Sequence, residues 1–258
     1  MIKPSGPEQG VVRYAVVGLG HIAQAAVLPA FRNARENSRL AAVVSDDPEK
    51  RSQLAKKYKC RAFSYDQYEE CLRGGEIDAV FITLPNHLHC DYTVRAAQAG
   101  VHVLCEKPMA VTAAECERMI AAARAARVRL MIAYRLHFEA ANLQAIEIAE
   151  SGQLGEPRLF DSTFCMQVKG DNVRTDREAG GGALYDIGVY CLNAARYLFR
   201  AEPTEVVAFS AAKPGDPRFA EIEEMVSAVL RFPGERLATF TCSFGAADVS
   251  GYRLWGTA

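Results

Sequence analysis

Val11-Val-Arg-Tyr-Ala-Val-Val17-Gly18-Leu-Gly20-His-Ile-Ala23 decides the fold of this chain. A strand that is apolar almost throughout runs into a glycine turn and then into a helical pattern over 22–33. Gly18 allows the tight turn, Gly20 lets a phosphate approach the backbone, and Ala23 permits close packing of helix on strand. Free N–H groups and the dipole at the helix start favour negative charge there. A lone G-x-G-x-x-A is a weak signal, but one set between a first strand and a first helix reads as a dinucleotide site. Gly18, Gly20, His21 and Ile22 are then its first cofactor-binding residues. The rival is merely a tight turn.

Working outward, strands alternate with helices as far as residue 133. Strands are expected at Leu40–Ser45, Ala62–Phe63, Ala79–Thr83, Val101–Cys105 and Leu130–Ala133. Helices are expected at Pro48–Tyr58, 65–73, His89–Ala99 and Thr112–Ala126, with Glu115 completing a capping box on Thr112. Such alternation of doubly apolar strands with helices gives a parallel sheet covered on both faces.

After Arg135 the pattern changes. A helix over Glu139–Ser151, a strand over Arg158–Val168 and a glycine cluster at 180–182 opening a helix to Phe199 lead into strand-like segments. These are Glu205–Ala211, Met225–Phe232, Leu237–Phe244 and Gly251–Trp255, with Phe232-Pro-Gly-Glu-Arg236 as a hairpin turn. The expected architecture is therefore an α/β Rossmann domain over 1–134 and an α+β domain with a largely antiparallel sheet over 135–258. The final strand stops at Trp255-Gly-Thr-Ala258 with nothing to close the sheet, so the second domain reads as truncated at its C-terminus.

Composition narrows the function classes. At 258 residues with 50% hydrophobic and 24% charged, the chain suits two ordinary globular domains. A formal charge of −1 gives no reason to expect nucleic acid or an anionic membrane as partner. No apolar run approaches the roughly 20 residues needed to span a bilayer. Residues 1–10 read as a loose tail with no signal-peptide core. The eight cysteines include no C-x-x-C and mostly fall in apolar patterns, which suits reduced thiols in the cytoplasm and no zinc site.

Four further stretches carry chemistry. Glu106-Lys107-Pro108 follows the strand 101–105, where ligands of open α/β sheets gather, and a lysine there can trade protons with a substrate. Its plain alternative is a surface lysine. Ser45-Asp46 ends the second strand: an acid there holds ribose hydroxyls of NAD, whereas serine with Lys50 and Arg51 nearby accepts a 2′-phosphate of NADP. Asp46 alternatively caps the helix at Pro48. Thr83-Leu-Pro85-Asn86-His87-Leu-His89 leaves the fourth strand; backbone and Asn86 polar groups there line the nicotinamide ribose, with Thr83, Pro85, Asn86 and His89 as cofactor-binding residues, or the stretch is a proline turn in which Asn86 or His87 caps the next helix. Asp186-Ile-Gly188-Val-Tyr190 places a carboxylate and a phenol four apart on one helical face, with room at Gly188 for something to approach. A cation near that phenol favours phenolate and makes it a usable acid/base.

These residues resemble the glucose–fructose oxidoreductase/inositol dehydrogenase/MocA oxidoreductases. The likeness rests on the glycine turn 18–23, Thr83–His89, Glu106-Lys-Pro108, Tyr134-Arg135 and, most specifically, Gly180-Gly-Gly-Ala-Leu-Tyr-Asp-Ile-Gly-Val-Tyr190. Many members carry histidine at the Tyr190 position, and the tyrosine form resembles the glucose–fructose oxidoreductase branch. The resemblance implies Lys107, Asp186 and Tyr190 as catalytic residues, and Glu106, Lys107 and Arg135 near the cofactor. It implies NADP or NAD as cofactor and no metal. It also implies hydride transfer with a sugar, polyol or related hydroxyl or carbonyl carbon, and a homo-oligomer formed through the C-terminal sheet. The alternative is a non-catalytic NAD(P)-binding sensor of the same fold.

Overall fold

A computed structural model describes residues 10–258, so the tail expected over 1–10 lies outside the described residues except for Gly10. Contacts divide the chain into two compact units, one ending at Ala133 and one spanning Tyr134–Ala258.

The first unit is built on six parallel strands: β1 (Val12–Val17), β2 (Ser38–Val44), β3 (Arg61–Phe63), β4 (Ala79–Ile82), β5 (His102–Cys105) and β6 (Leu130–Ile132). Their order is β3-β2-β1-β4-β5-β6, so the chain reverses direction across the sheet between β1 and β4. The connecting helices are α1 (Leu28–Ala30), α2 (Pro48–Tyr58), α3 (Tyr68–Arg73), α4 (His89–Gln98) and α5 (Ala113–Ala126). A π-helical turn, Ala23–Val27, runs directly into α1, where the sequence suggested one regular helix. Both faces of the sheet are buried: Val17, Val44, Val80 and Ile82 pack into one cluster, Val16 and Val43 into another with Ala23 and Leu28. The caps follow the sequence closely. Thr112 and Glu115 form the reciprocal capping box of α5, worth about 1 kcal/mol. Asp47, not Asp46, caps α2, accepting the Lys50 N–H at 2.9 Å.

The second unit holds α6 (Ala140–Glu150), β7 (Leu159–Cys165), a π-helical turn (Leu184–Gly188), α7 (Val189–Phe199), β8 (Glu205–Ala211), β9 (Met225–Phe232), β10 (Arg236–Ser243) and β11 (Val249–Trp255). The sheet order is β11-β7-β10-β9-β8. Three of its pairings are antiparallel, and β7 with β10 is parallel, Leu159 opposite Leu237. The hairpin at 232–236 uses Gly234 (φ 78°) and Glu235 (φ 56°), both left-handed. One face of this sheet buries Phe160, Val226, Leu230, Phe240 and Cys242 against Ile187, Cys191 and Leu198. The other face is open.

Candidate active site

In the first unit, the glycine turn is held by main-chain geometry. Gly18 has φ +93°, donates its N–H to the Val44 carbonyl at 2.9 Å, and a Cβ there would sit 2.9 Å from the Thr83 carbonyl oxygen. The Thr83 hydroxyl lies 2.7 Å from the Gly18 carbonyl and 3.1 Å from that of Val17. The Thr83 hydroxyl thus pins β4 against the turn, which leaves its main chain and Asn86 to line a ribose. Gly20 is different: it is exposed, and nothing lies within 4 Å of a Cβ built there. That open space beside the start of a helix is the cradle a pyrophosphate needs, so these residues fit a dinucleotide. His21 and Ile22 are exposed beside it, and Ala23 is buried in the core.

At the end of β2, Ser45 is buried and Asp46 exposed. Asp46 Oδ1 accepts the Tyr65 N–H at 2.8 Å, which holds the carboxylate at the strand end. The Arg51 guanidinium donates to the Ser45 carbonyl, so an acid for ribose hydroxyls and a cation for a 2′-phosphate both end this strand, and both cofactor readings stay open.

Pro85 and Asn86 are half-buried in a short 3₁₀ turn before α4. His89 departs most from expectation. It is fully buried at 0% exposure, with Nδ1 2.8 Å from the Pro108 carbonyl and Nε2 2.9 Å from the Leu84 carbonyl. It sits beneath the loops and presents no atom to a ligand. Burial pushes its pKa below the ordinary value, against the pull of the two carbonyls. Glu106 and Lys107 follow β5, both half-buried, with the Glu106 N–H on the Ile82 carbonyl at 2.9 Å.

In the second unit, Asp186 lies in the π-helical turn, with its side chain 14% exposed. Its Oδ2 accepts from Arg174 Nε at 2.6 Å, a charge-assisted bond. Arg174 had no signal in the sequence beyond its place in a polar stretch. The three glycines explain how it arrives. Gly181 and Gly182 donate their N–H groups to the carbonyls of Asp176 (2.8 Å) and Arg174 (3.0 Å), and a Cβ on Gly181 would lie 2.4 Å from the Arg174 carbonyl oxygen. Only glycine lets the Arg174 turn pack that close to the helix start. Glu223 caps the start, accepting the Leu184 N–H at 3.0 Å.

Tyr190 is clamped by aromatics: its ring stacks on Phe164 at 5.5 Å and meets Tyr134 edge-on at 6.5 Å. Beside it a cavity of about 190 Å³ is lined by Thr163, Asn193, Tyr197, Ser250 and Tyr252 among others. The Tyr252 hydroxyl donates to Asn142 Oδ1 at 2.7 Å, and burial raises the pKa of Tyr197. Gly188 offers no room for a ligand, contrary to expectation. A Cβ there would meet Leu184 Cδ1 at 2.9 Å and Cys242 Sγ at 3.0 Å, so the glycine serves packing on β10. Arg135 is exposed and paired with Glu139. Among the described residues, no group of three or more His, Cys, Asp or Glu is placed to hold a metal, and no helix is long and apolar enough to cross a membrane.

Comparison with known proteins gives matching results for both units. Residues 12–134 match the model of an oxidoreductase family with an NAD-binding Rossmann fold, and residues 142–258 match the GFO/IDH/MocA C-terminal domain. The chain is 38% identical to an uncharacterized oxidoreductase, ORF334, of Rhizobium meliloti, over 96% of this chain and 72% of that protein. It is 33% identical to the D-xylose 1-dehydrogenase [NADP(+)] of Haloarcula marismortui, over 95% of this chain and 70% of the relative. Among solved structures, the aldose-aldose oxidoreductase from Caulobacter crescentus, complexed with glycerol, superposes with a TM-score of 0.92. Its sequence identity is 40%, and the match covers 95% of this chain and 74% of that one.

Proposed function

The chain belongs to the GFO/IDH/MocA family of NAD(P)-dependent oxidoreductases, and from that premise we propose that it transfers hydride between the cofactor and a hydroxyl-bearing carbon of an aldose or polyol. The observation that carries this reading is the presence in one chain of an open glycine cradle, a lysine ending β5 and an arginine-held carboxylate four residues before a clamped tyrosine. The bound nicotinamide supplies the hydride acceptor or donor at C4.

The remaining work falls to side chains. In the oxidation direction, Tyr190 or Lys107 takes the proton of the reacting hydroxyl and returns it in reduction. Phe164 and Tyr134 fix the plane of the Tyr190 ring, which limits the rotamers the phenol samples. Asp186 accepts from substrate hydroxyls, and Arg174 holds its carboxylate in place. The cavity wall of Asn193, Ser250 and Tyr252 offers the polar groups that a polyhydroxylated substrate requires.

The outer face of the second sheet supports self-association. Val207, Phe209, Val229 and Leu237 are 65%, 79%, 45% and 39% exposed, and such an apolar patch marks an interface. The eight free cysteines suit a reducing compartment, which supports a place in the cytoplasm. The decisive test is Lys107→Met. It is expected to abolish most turnover while leaving cofactor affinity nearly unchanged; equal loss of both would overturn the assignment.

A further inference from the structure

His89 opens α4 beneath two loops at the carboxyl ends of β4 and β5. Its two ring nitrogens address one loop each: Nε2 the Leu84 carbonyl at 2.9 Å, Nδ1 the Pro108 carbonyl at 2.8 Å. Leu84 follows Thr83, whose hydroxyl is bonded to the carbonyl of Gly18 in the cofactor turn. Pro108 follows Lys107. One buried ring therefore stands between the glycine turn with its Pro85-Asn86 loop on one side and the strand end bearing Lys107 on the other, a ring nitrogen within hydrogen-bond distance of a carbonyl on each side.

Both acceptors are carbonyl oxygens, which only accept. A neutral imidazole donates to one of them and an imidazolium to both, so the proton on the ring decides which loop is held more tightly. The cationic ring is disfavoured by burial and by Lys107 and His87, and favoured by the two carbonyls. No polar side chain other than imidazole places donors on two opposite edges of one rigid ring.

We propose that His89 is a positioning residue for hydride transfer, setting Lys107 through the Pro108 carbonyl and the Pro85-Asn86 loop through the Leu84 carbonyl. The proposal rests on the reading of Lys107 as a proton-transfer group. It makes His89 act through the two loops, without touching either reactant.

The two contacts separate by substitution. Asparagine places an amide donor where Nδ1 lies, glutamine where Nε2 lies, and leucine supplies neither. His89→Asn is expected to keep kcat within about threefold and to weaken NADPH binding about tenfold, the worth of one net hydrogen bond near the upper end of its range. His89→Gln is expected to do the reverse, holding the dissociation constant for NADPH and lowering kcat tenfold or more, about what small misplacement of a reacting group costs. Turnover is read with the aldose that the wild type oxidises fastest. Amide hydrogen exchange, which needs no substrate, is read in parallel: faster exchange is expected at 84–88 in His89→Asn and at 106–110 in His89→Gln. If His89→Leu does not fold, the other two variants carry the test. Equal losses of kcat and affinity in Asn and Gln variants, with exchange raised uniformly, would reduce His89 to a core residue and overturn the proposal. Failure of the underlying reading looks different, because Lys107→Met would then retain turnover whatever the His89 variants do.

Discussion

Gly18→Ala and Gly20→Ala lie two residues apart in one turn, and the structure assigns them opposite consequences. At Gly18 the backbone sits at φ +93°, where an L-residue is strained, and the added methyl would lie 2.9 Å from the Thr83 main-chain oxygen and 3.0 Å from Leu84 Cδ2. The leucine methyl can swing away, but the carbonyl cannot move without disturbing β4. Left-handed strain of about 1–2 kcal/mol and an overpacking cost of about 1–3 kcal/mol sum to roughly 3 kcal/mol of lost stability. Gly20 has no left-handed φ and no neighbour within 4 Å, so alanine there is sterically free. By restricting the unfolded chain it stabilises the fold by about 0.4–1 kcal/mol. Its methyl, however, enters the space reserved for the pyrophosphate, and a clash of about 1–3 kcal/mol is a loss of roughly 5- to 150-fold in affinity. The assay is a urea midpoint for each variant beside a fluorescence titration with NADPH and NADH. The expected result is a lowered midpoint for Gly18→Ala, and an unchanged or raised midpoint with weak cofactor binding for Gly20→Ala. If Gly20→Ala binds both nucleotides as the wild type does, the phosphates do not lie on this turn and the cofactor reading fails.

Arg174→Met should raise the KM for the aldose about tenfold with the NADPH dissociation constant unchanged, since it removes a charge-assisted bond from Asp186 worth roughly 1.4 kcal/mol; steady-state kinetics with unaltered KM would separate Asp186 from substrate binding. Arg13 grips Asp78 through Nε, Nη2 and its own N–H at 2.8–2.9 Å, and the Asp78 side chain is 4% exposed. Burial raises the Asp78 pKa, but the Arg13 bonds outweigh it and the net shift is downward from 3.8. The stabilisation is therefore complete above the unfolded value of 3.8 and fades as pH falls through the lower folded value. Asp78→Ala should cost about 3 kcal/mol at pH 7 and less once the pH falls below 3.8, read as urea midpoints; an equal cost at both would refute the linkage. On the proposed self-association through the second sheet, Phe209→Glu is expected to give monomer in analytical ultracentrifugation with its urea midpoint retained, and an unchanged assembly state would exclude this face as the contact.

The first unit was legible because its signals are local. Alternating apolar strands, a proline at the start of α2, and Thr112 with Glu115 each fix an element from residues a few positions apart, and these appear where the sequence puts them. The parallel pairing of β7 with β10 was not legible, since it joins residues 78 apart, Leu159 and Leu237, with no turn to announce it. Neither π-helical turn was legible, because the apolar spacing of five residues does not separate a π turn from an α turn. At the site, the residues proposed to do the chemistry, Lys107, Asp186 and Tyr190, stood out by their type. The residues that hold others in place did not. Arg174 looked like any charge in a polar stretch, Thr83 and His89 looked like ligands, and Gly188 looked like an opening. Their roles depend on partners distant in sequence, which no short pattern encodes.

The two units hold their functional groups by different physics, and that predicts how each tolerates change. In the first unit the groups that matter are positioned by main-chain carbonyls: Gly18 by Val44, Thr83 by Gly18, His89 by Leu84 and Pro108. Carbonyls persist whatever side chain they carry, so substitution at Leu84 or Val44 acts through core packing and leaves the acceptor in place, while the donors that address these carbonyls cannot be replaced. In the second unit the holders are side chains, Arg174 on Asp186 and Phe164 on Tyr190. Substitution at either holder changes the geometry of its partner directly. Altered substrate preference should therefore be reached most readily through Arg174, Phe164 and the cavity wall at Asn193 and Ser250, with the glycine turn left as it is.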